Sequence, residues 1–283
     1  MRRPLRFGLA ATIALVCLAS TPLRADYLAG VTYYGNQLIR IDATTGVGSL
    51  VGNLDTSMSA FGLAQRGGSL YTFDSTTDLI RQINPMTGTT VTSINVGLGP
   101  VLGQGGLAFG SDGAGYLSSA LNPTTLAPEN DLYRFDIATG KSSLVGFSGA
   151  ALSGLAFLNG TLYGVGKTTD TLYTVNTSTG ATTAVGFLGA MAGSPIQSLS
   201  AGPNGQLYGT FDDRLFSINA TTGAATAVDP NPANDAGFSS ISGLTYVTTA
   251  SAVPEPASVI LLGVGLSAGL LLQRRSRRSK RSV

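Results

Sequence analysis

The chain has 283 residues, is rich in glycine (38) and poor in charge (11%), and contains no His, no Trp and one Cys. Its formal charge of +2 hides a segregation: ten of the 17 basic residues lie before Asp26 or after Val253, and the stretch between holds seven basic against fourteen acidic residues, a balance of −7. Without His there is no Ser-His-Asp triad, imidazole base or His-ligated zinc, and an acidic middle repels phosphate backbones, so nucleic acid is not an expected partner.

Residues 1–25 have the three parts of a secretory signal peptide. Arg2, Arg3 and Arg6 supply the positive start, residues 7–19 an apolar core that predicts a signal helix, and Leu23-Arg24-Ala25 a small residue before Asp26. Cys17 lies inside the apolar core and leaves with it. The mature chain then has no thiol, hence no disulfide, Cys metal site or thiol catalysis.

From residue 26 to 249 one turn signature recurs: Asp42-Ala-Thr-Thr45-Gly46, Asn84-Pro-Met-Thr87-Gly88, Asp136-Ile-Ala-Thr139-Gly140, Asn176-Thr-Ser-Thr179-Gly180 and Asn219-Ala-Thr-Thr222-Gly223. The glycines are spaced 42, 52, 40 and 43 residues apart, a period that indicates an array of β units. An Asx side chain accepts from backbone N–H groups two residues on, and glycine takes φ > 0 without steric conflict, so each copy predicts a hairpin tip.

The fourth unit shows all four strands. Gly154-Leu155-Ala156-Phe157 is the inner strand, Asn159-Gly160 a tight turn, Thr161-Leu162-Tyr163-Gly164-Val165 the second strand, Leu172-Tyr173-Thr174-Val175 the third and Ala181-Thr-Thr-Ala-Val185 the fourth. Inner strands recur at Phe61-Gly62-Leu63-Ala64, Gly106-Leu107-Ala108-Phe109 and Gln197-Ser198-Leu199-Ser200, with small residues where strands converge on a central channel. In the second unit Leu79-Ile80-Arg81-Gln82-Ile83 reads one residue longer than its counterparts, which predicts a bulge near Gln82. The first unit lacks an inner strand, and a spare one, Ile241-Ser-Gly243-Leu244-Thr-Tyr246, follows the last. The expected fold is therefore all-β: a five-bladed β-propeller whose C-terminal strand closes the first blade and hides both edges. An open solenoid or a sandwich is the competing arrangement.

After Thr249 the composition changes. Residues 250–256 are a linker ending in Pro254-Glu255-Pro256, residues 257–272 an uncharged apolar run predicting a second flanking helix, and six of the last ten residues are Arg or Lys. Sixteen residues at ~1.5 Å each span about 24 Å, short for a bilayer core of about 30 Å, although flanking arginines can snorkel and a bilayer can thin. Val253, Pro254, Glu255 and Pro256, the apolar run, and the cluster that begins at Arg274 and Arg275 together resemble the PEP-CTERM sorting signal. The resemblance implies export across the inner membrane, recognition and removal of the tail by an exosortase, and a final place at the cell surface or in the extracellular matrix. The expected partners are thus the secretion machinery, an exosortase and, transiently, the inner membrane, with exopolysaccharide or a surface protein as candidate ligands of the β domain.

The remaining chemistry is that of carboxylates and oxygen-ligated cations. The glycine-rich Leu98–Gly106 stretch lacks a following helix and Gly-Lys-Ser/Thr, so it reads as a loop between blades. Within a blade, connections after strands two and four share one face, where the longest segments lie (residues 118–130, 187–195 and 229–240). Acids gather in the loops after strand two: Asp74 and Asp78, Glu129 and Asp131, Asp170, and Asp212 and Asp213. One reading is a hydrated rim; the sharper one is a weak Ca²⁺ site using Asp74, Asp170, Asp212 and Asp213. Two functional classes stay open. One is a non-catalytic scaffold or binding module of the cell surface, and the other is a carboxylate-dependent polysaccharide hydrolase or lyase with Asp212 or Asp213 as acid or base. A glycosidase needs two carboxylates about 5–10 Å apart across a cleft, which adjacent residues of a strand do not supply, and the sequence favours the first class.

Overall fold

A computed structural model of the chain describes residues 26–55, 58–98, 105–121, 125, 128–189, 196–228, 238 and 240–248. The expected signal helix, the linker, the apolar run and the basic tail lie outside the described residues. Among those described, no helix is long and apolar enough to cross a membrane.

Strands follow one another in fours. The chain begins with β1 (Tyr27–Thr32), β2 (Gln37–Ile41) and β3 (Gly48–Asn53). The second blade is β4 (Ala60–Arg66), β5 (Ser69–Asp74), β6 (Leu79–Ile83) and β7 (Thr90–Ile94). The third is β8 (Leu107–Phe109), β9 (Gly115–Leu121), β10 (Pro128–Asp136) and β11 (Lys141–Phe147). The fourth is β12 (Leu152–Leu158), β13 (Thr161–Gly166), β14 (Thr171–Val175) and β15 (Thr182–Phe187). The fifth is β16 (Ser198–Ala201), β17 (Leu207–Phe211), β18 (Arg214–Ile218) and β19 (Ala225–Ala227).

The last strand, β20 (Ile241–Val247), pairs antiparallel with β1, placing Tyr27 opposite Val247 and Gly30 opposite Leu244. Five four-stranded sheets result, and the first has the order β20-β1-β2-β3. The domain is a closed five-bladed propeller with its ends joined in one blade. Its strands and core are complete within one compact unit, Asp26–Thr249.

The repeated turns form as their chemistry dictates. Asp42 Oδ1 accepts the N–H groups of Thr44 (2.7 Å) and Thr45 (3.0 Å), and Asn176 and Asn219 accept the equivalent pairs at 2.8 and 3.1 Å. The glycine of each copy lies at φ between 65° and 81°, where a Cβ is strained. These turns also join blades. A Cβ on Gly180 would meet the Gly146 carbonyl oxygen at 2.7 Å, and one on Gly223 the Gly186 oxygen at 2.6 Å, so each tip lies on the fourth strand of the preceding blade.

The centre of the ring is closer still. A Cβ on Gly62 would lie 2.6 Å from the Leu107 nitrogen, one on Gly154 2.6 Å from the Leu199 nitrogen, and one on Gly243 2.6 Å from the Gly62 carbonyl carbon. Neighbouring inner strands thus touch backbone to backbone. Buried hydroxyls clip them together: Ser242 donates to Ala60 O (2.7 Å), Ser118 to Leu152 O (2.9 Å), Ser153 to Ile196 O (2.8 Å) and Thr210 to Ile241 O (3.2 Å). Outside this ring five apolar clusters fill the spaces between adjacent blades. Leu63 and Val31 belong to the first–second interface, and Leu28, Leu215 and Leu244 to the interface that closes the ring.

Two expectations are corrected. A register shift does fall at Gln82/Ile83, but the extra residue is Val91 of β7, because Gln82 pairs with Thr92 and Ile83 with Thr90. The third strand itself has no insertion: Asn36 and Asp78, both at positive φ, each precede their turn Asx by six residues. The segment 118–130 is also less loop than its sequence suggests, since β9 runs to Leu121 and β10 starts at Pro128.

The glycine ring makes a direct prediction. Gly154→Ala forces a methyl against the backbone of Leu199 and should lower stability by about 1–3 kcal/mol, the range for overpacking a filled core. Urea denaturation checks this, and a wild-type midpoint would remove backbone contact as the constraint that sets the ring.

Candidate functional site

The five inner strands narrow the channel at its waist, where Gly62, Gly106, Gly154, Ser198 and Gly243 and the leucines that follow them leave no room for a water molecule. A pocket lies on either side. The lower one, of about 130 Å³, is lined by strand ends that include Gln65, Phe109, Phe157 and Tyr246. The upper one is larger, about 340 Å³, and opens on the face of the connections after strands two and four. Every blade contributes to it. Phe61, Gly105, Ser153, Gln197 and Ser242 come from the inner strands or the residues that lead into them, while Tyr33 and Tyr34 come from the turn after β1 and Lys167 and Thr168 from the turn after β13.

The chemistry of the upper pocket is uneven. Tyr33 is flanked by Tyr34 (ring centroids 4.7 Å) and Phe61 (5.0 Å), forming an aromatic wall, and Tyr34 is 79% exposed. Among the described residues, Lys167 is the one charged side chain in the lining, and no Asp or Glu lines it. Burial pulls its ammonium below the ordinary lysine value. The hydroxyls of Ser153 and Ser242 are spent on backbone carbonyls of adjacent blades.

The predicted rim acids are scattered around this mouth rather than gathered at it. Asp74 is fully buried at the end of β5, where its carboxylate accepts from Thr77 Oγ1 (2.7 Å), Arg81 Nη2 (2.8 Å) and Nε (3.1 Å), and the N–H groups of Thr76 (3.0 Å) and Ser59 (3.1 Å). Burial pushes its carboxyl up, but these bonds together hold it below the ordinary aspartate value. Arg81 also reaches Ser93. This is a structural ion pair tying β5 to β6 and β7.

Asp170 occupies a left-handed position (φ 45°) after β13, as do Asn36 (47°), Asp78 (56°) and Asp212 (53°) in their own blades. Its backbone oxygen accepts from Leu188 N–H, just as Asn36 O accepts from Leu54 and Asn130 O from Ser148. Burial pushes the Asp170 carboxyl above its ordinary value, and the Gly189 N–H offsets part of that. Asp212 is exposed and accepts from Ser240 N–H at 2.7 Å, tying the turn after β17 to the start of the closing strand; Asp213 is half-buried beside it. Among the described residues no three acidic side chains converge in a group that would hold a metal ion. The sorting residues Val253, Pro254, Glu255, Pro256, Arg274 and Arg275 lie outside the described residues.

Sequence reasoning missed Lys167. Its one signal is a basic residue in a turn on a face whose other charges are acidic, but what it lines is set by residues 33–242, from all five blades.

The PEP-CTERM protein-sorting motif matches residues 252–278. The chain therefore carries a sorting signal that implies export, transient anchoring at the membrane and processing by an exosortase. No curated protein matches the chain. Among solved structures it is similar to a virginiamycin B lyase from Staphylococcus aureus in complex with quinupristin, at 14% identity and a TM-score of 0.44, covering 69% of this chain and 63% of that one, less than two thirds of the lyase's length. It is also similar to a chain of a nidogen/laminin complex, at 13% identity and TM-score 0.49 over 79% of this chain and 99% of that one. A third similarity is to a gluconolactonase from Xanthomonas campestris, at 14% identity and TM-score 0.48 over 74% and 77%.

Asp74 and Asp170 should respond oppositely to the same substitution. Asp74 titrates below its unfolded value, so its contribution is present at neutral pH and fades as pH falls through the folded value. Asp74→Asn should cost about 3 kcal/mol at pH 7, as for a broken buried pair, and less in acid. Asp170 titrates above its unfolded value, so the fold loses stability as pH rises through that interval. Asp170→Asn should raise the melting temperature at pH 7 and leave it unchanged below about pH 4. Thermal melts across pH check both signs.

Proposed function

We propose that this chain is an exported protein of the cell surface or extracellular matrix, whose propeller is a non-catalytic binding module that receives its ligand on the upper face. The observation that carries the reading is a sorting motif at residues 252–278 following a self-contained ring. Such an arrangement delivers a rigid domain to the exterior and leaves that domain whole when the tail is removed.

The non-catalytic part is supported by the state of the carboxylates. General acid–base hydrolysis of a glycoside needs two carboxyls facing one cleft. Among the described residues no Asp or Glu lines either pocket, Asp74 is committed to Arg81, and Asp212 caps the backbone of Ser240. The upper face is favoured for binding because its pocket is the larger of the two and combines aromatic and polar groups from the inner strands and the turns after β1 and β13.

Two measurements test this. Intact-mass analysis of protein recovered from the cell exterior should show a chain ending near Val253, and recovery with the arginine tail attached would defeat the sorting reading. Incubating that protein with surface polysaccharide should release no new chain ends. Turnover that disappears in the Asp212→Asn/Asp213→Asn variant would move the protein to the hydrolase or lyase class.

A further inference from the structure

The lower pocket is built differently from the upper one. It is a well of about 130 Å³ lined by three successive residues from each of the five inner strands. That volume is several times the roughly 10–15 Å³ that one water needs. The turns that follow β4, β8, β12 and β16 on this face are all described.

Its walls present main chain. In an antiparallel pair, successive residues turn their N–H and C=O groups alternately toward the partner strand and away from it. Ser118 N–H donates to Gly106 O (3.0 Å), so Gly106 and Ala108 face β9, while Leu107 and Phe109 face the axis. The same phase holds in β4, where Gln65 N–H points away from β5 and donates to Thr245 Oγ1 of the neighbouring inner strand (3.2 Å). The registers against the second strands carry this phase to Phe157, Ala201 and Tyr246. The well is therefore ringed by main-chain donors and acceptors together. A carboxylate only accepts and an ammonium only donates, so each mismatches half of these groups, whereas a hydroxyl does both.

The rim is largely aromatic and has one notch. Phe109 and Phe157 are partly exposed, and each is fixed edge-to-face by a tyrosine of the preceding blade, Tyr71 (ring centroids 5.2 Å) and Tyr116 (5.5 Å). Gln65 and Tyr246 hold the same position in the second and first blades. In the fifth blade that position is Ala201, followed by Gly202, so the rim is broken between Phe157 and Tyr246. Such a mouth suits a ring entering edge-on, with its C–H groups against aromatic side chains and its hydroxyls on the main chain.

We propose that the lower well is a second binding site, which takes the hydroxyl-bearing edge of an uncharged hexose at the end of a glycan through the notch at Ala201. This goes beyond the reading of the upper face and does not depend on it.

The test is isothermal titration of residues 26–249, the self-contained ring, with the glucose, galactose and mannose trimers and with the galacturonic acid trimer. At least one neutral trimer should bind, about tenfold or more tightly than the acidic one. Ala201→Phe places in the fifth blade the residue that its neighbours carry as Phe109 and Phe157. It should weaken that binding about tenfold with the melting temperature unchanged. Gln65→Leu should weaken it about threefold, and decides the matter if Ala201→Phe does not fold. Tyr34→Ala, in the upper pocket, should change nothing. No binding of any neutral trimer would overturn the proposal and leave the well to water. Equal binding of the acidic trimer, or binding indifferent to both Ala201→Phe and Gln65→Leu, would also overturn it. Binding weakened by Tyr34→Ala would move the glycan to the upper face, overturning the lower site while leaving the binding-module reading standing.

Discussion

The contact on which the structure depends is the backbone-to-backbone approach of neighbouring inner strands. At Gly62, Gly154 and Gly243 the next blade's main chain, or that of the blade just joined, occupies the volume a Cβ would need. That proximity fixes the blade number as much as the repeat does, because wider spacing would leave a void at the axis and closer spacing a clash. It also forces polar backbone into a dry centre. The hydroxyls of Ser118, Ser153, Thr210 and Ser242 answer this by donating across blade boundaries, satisfying carbonyls that lie at the ends of the inner ladders.

The fold was legible wherever a single residue type has a single local use. Asx and Gly at the turns are of that kind, and so is the alternation of small residue and leucine in the inner strands. Closure by β20 was legible because an unpaired Gly-Leu-x-aromatic segment has an obvious vacancy to fill. The misread third strand of the second blade shows the limit. Leu79 and Ile80 are equally apolar, and only the count of six residues from a left-handed Asp78 to Asn84 reveals that Ile80, which is buried, stands where Leu38 does. Hydrophobic identity cannot set register where two apolar residues are adjacent, whereas backbone conformation can.

The candidate site was harder to read for a physical reason. Aspartate has at least three uses in this chain: accepting N–H groups in a turn (Asp42, Asp136), pairing with Arg81 in the interior (Asp74), and tolerating positive φ (Asp78, Asp170, Asp212). Counting acids by loop does not distinguish the three. The pocket, by contrast, depends on residues separated by long stretches of sequence, and Lys167 has no local motif. What reaches the mouth is decided by the ring, after the turns have formed.

The topology also separates the pocket from the chain ends. Inner strand β20 enters at the upper face with Ser240 and Ser242 beside the Lys167 pocket and ends at Val247, and β1 starts opposite it at Tyr27. Both ends of the ring therefore leave from the lower face, away from the pocket. Asp26 precedes the first paired residue and Val253 follows the last, so every described strand, hydroxyl clip and pocket residue lies between them. Pairing with β20 covers the edge of β1, which would otherwise stand open as a template for another chain.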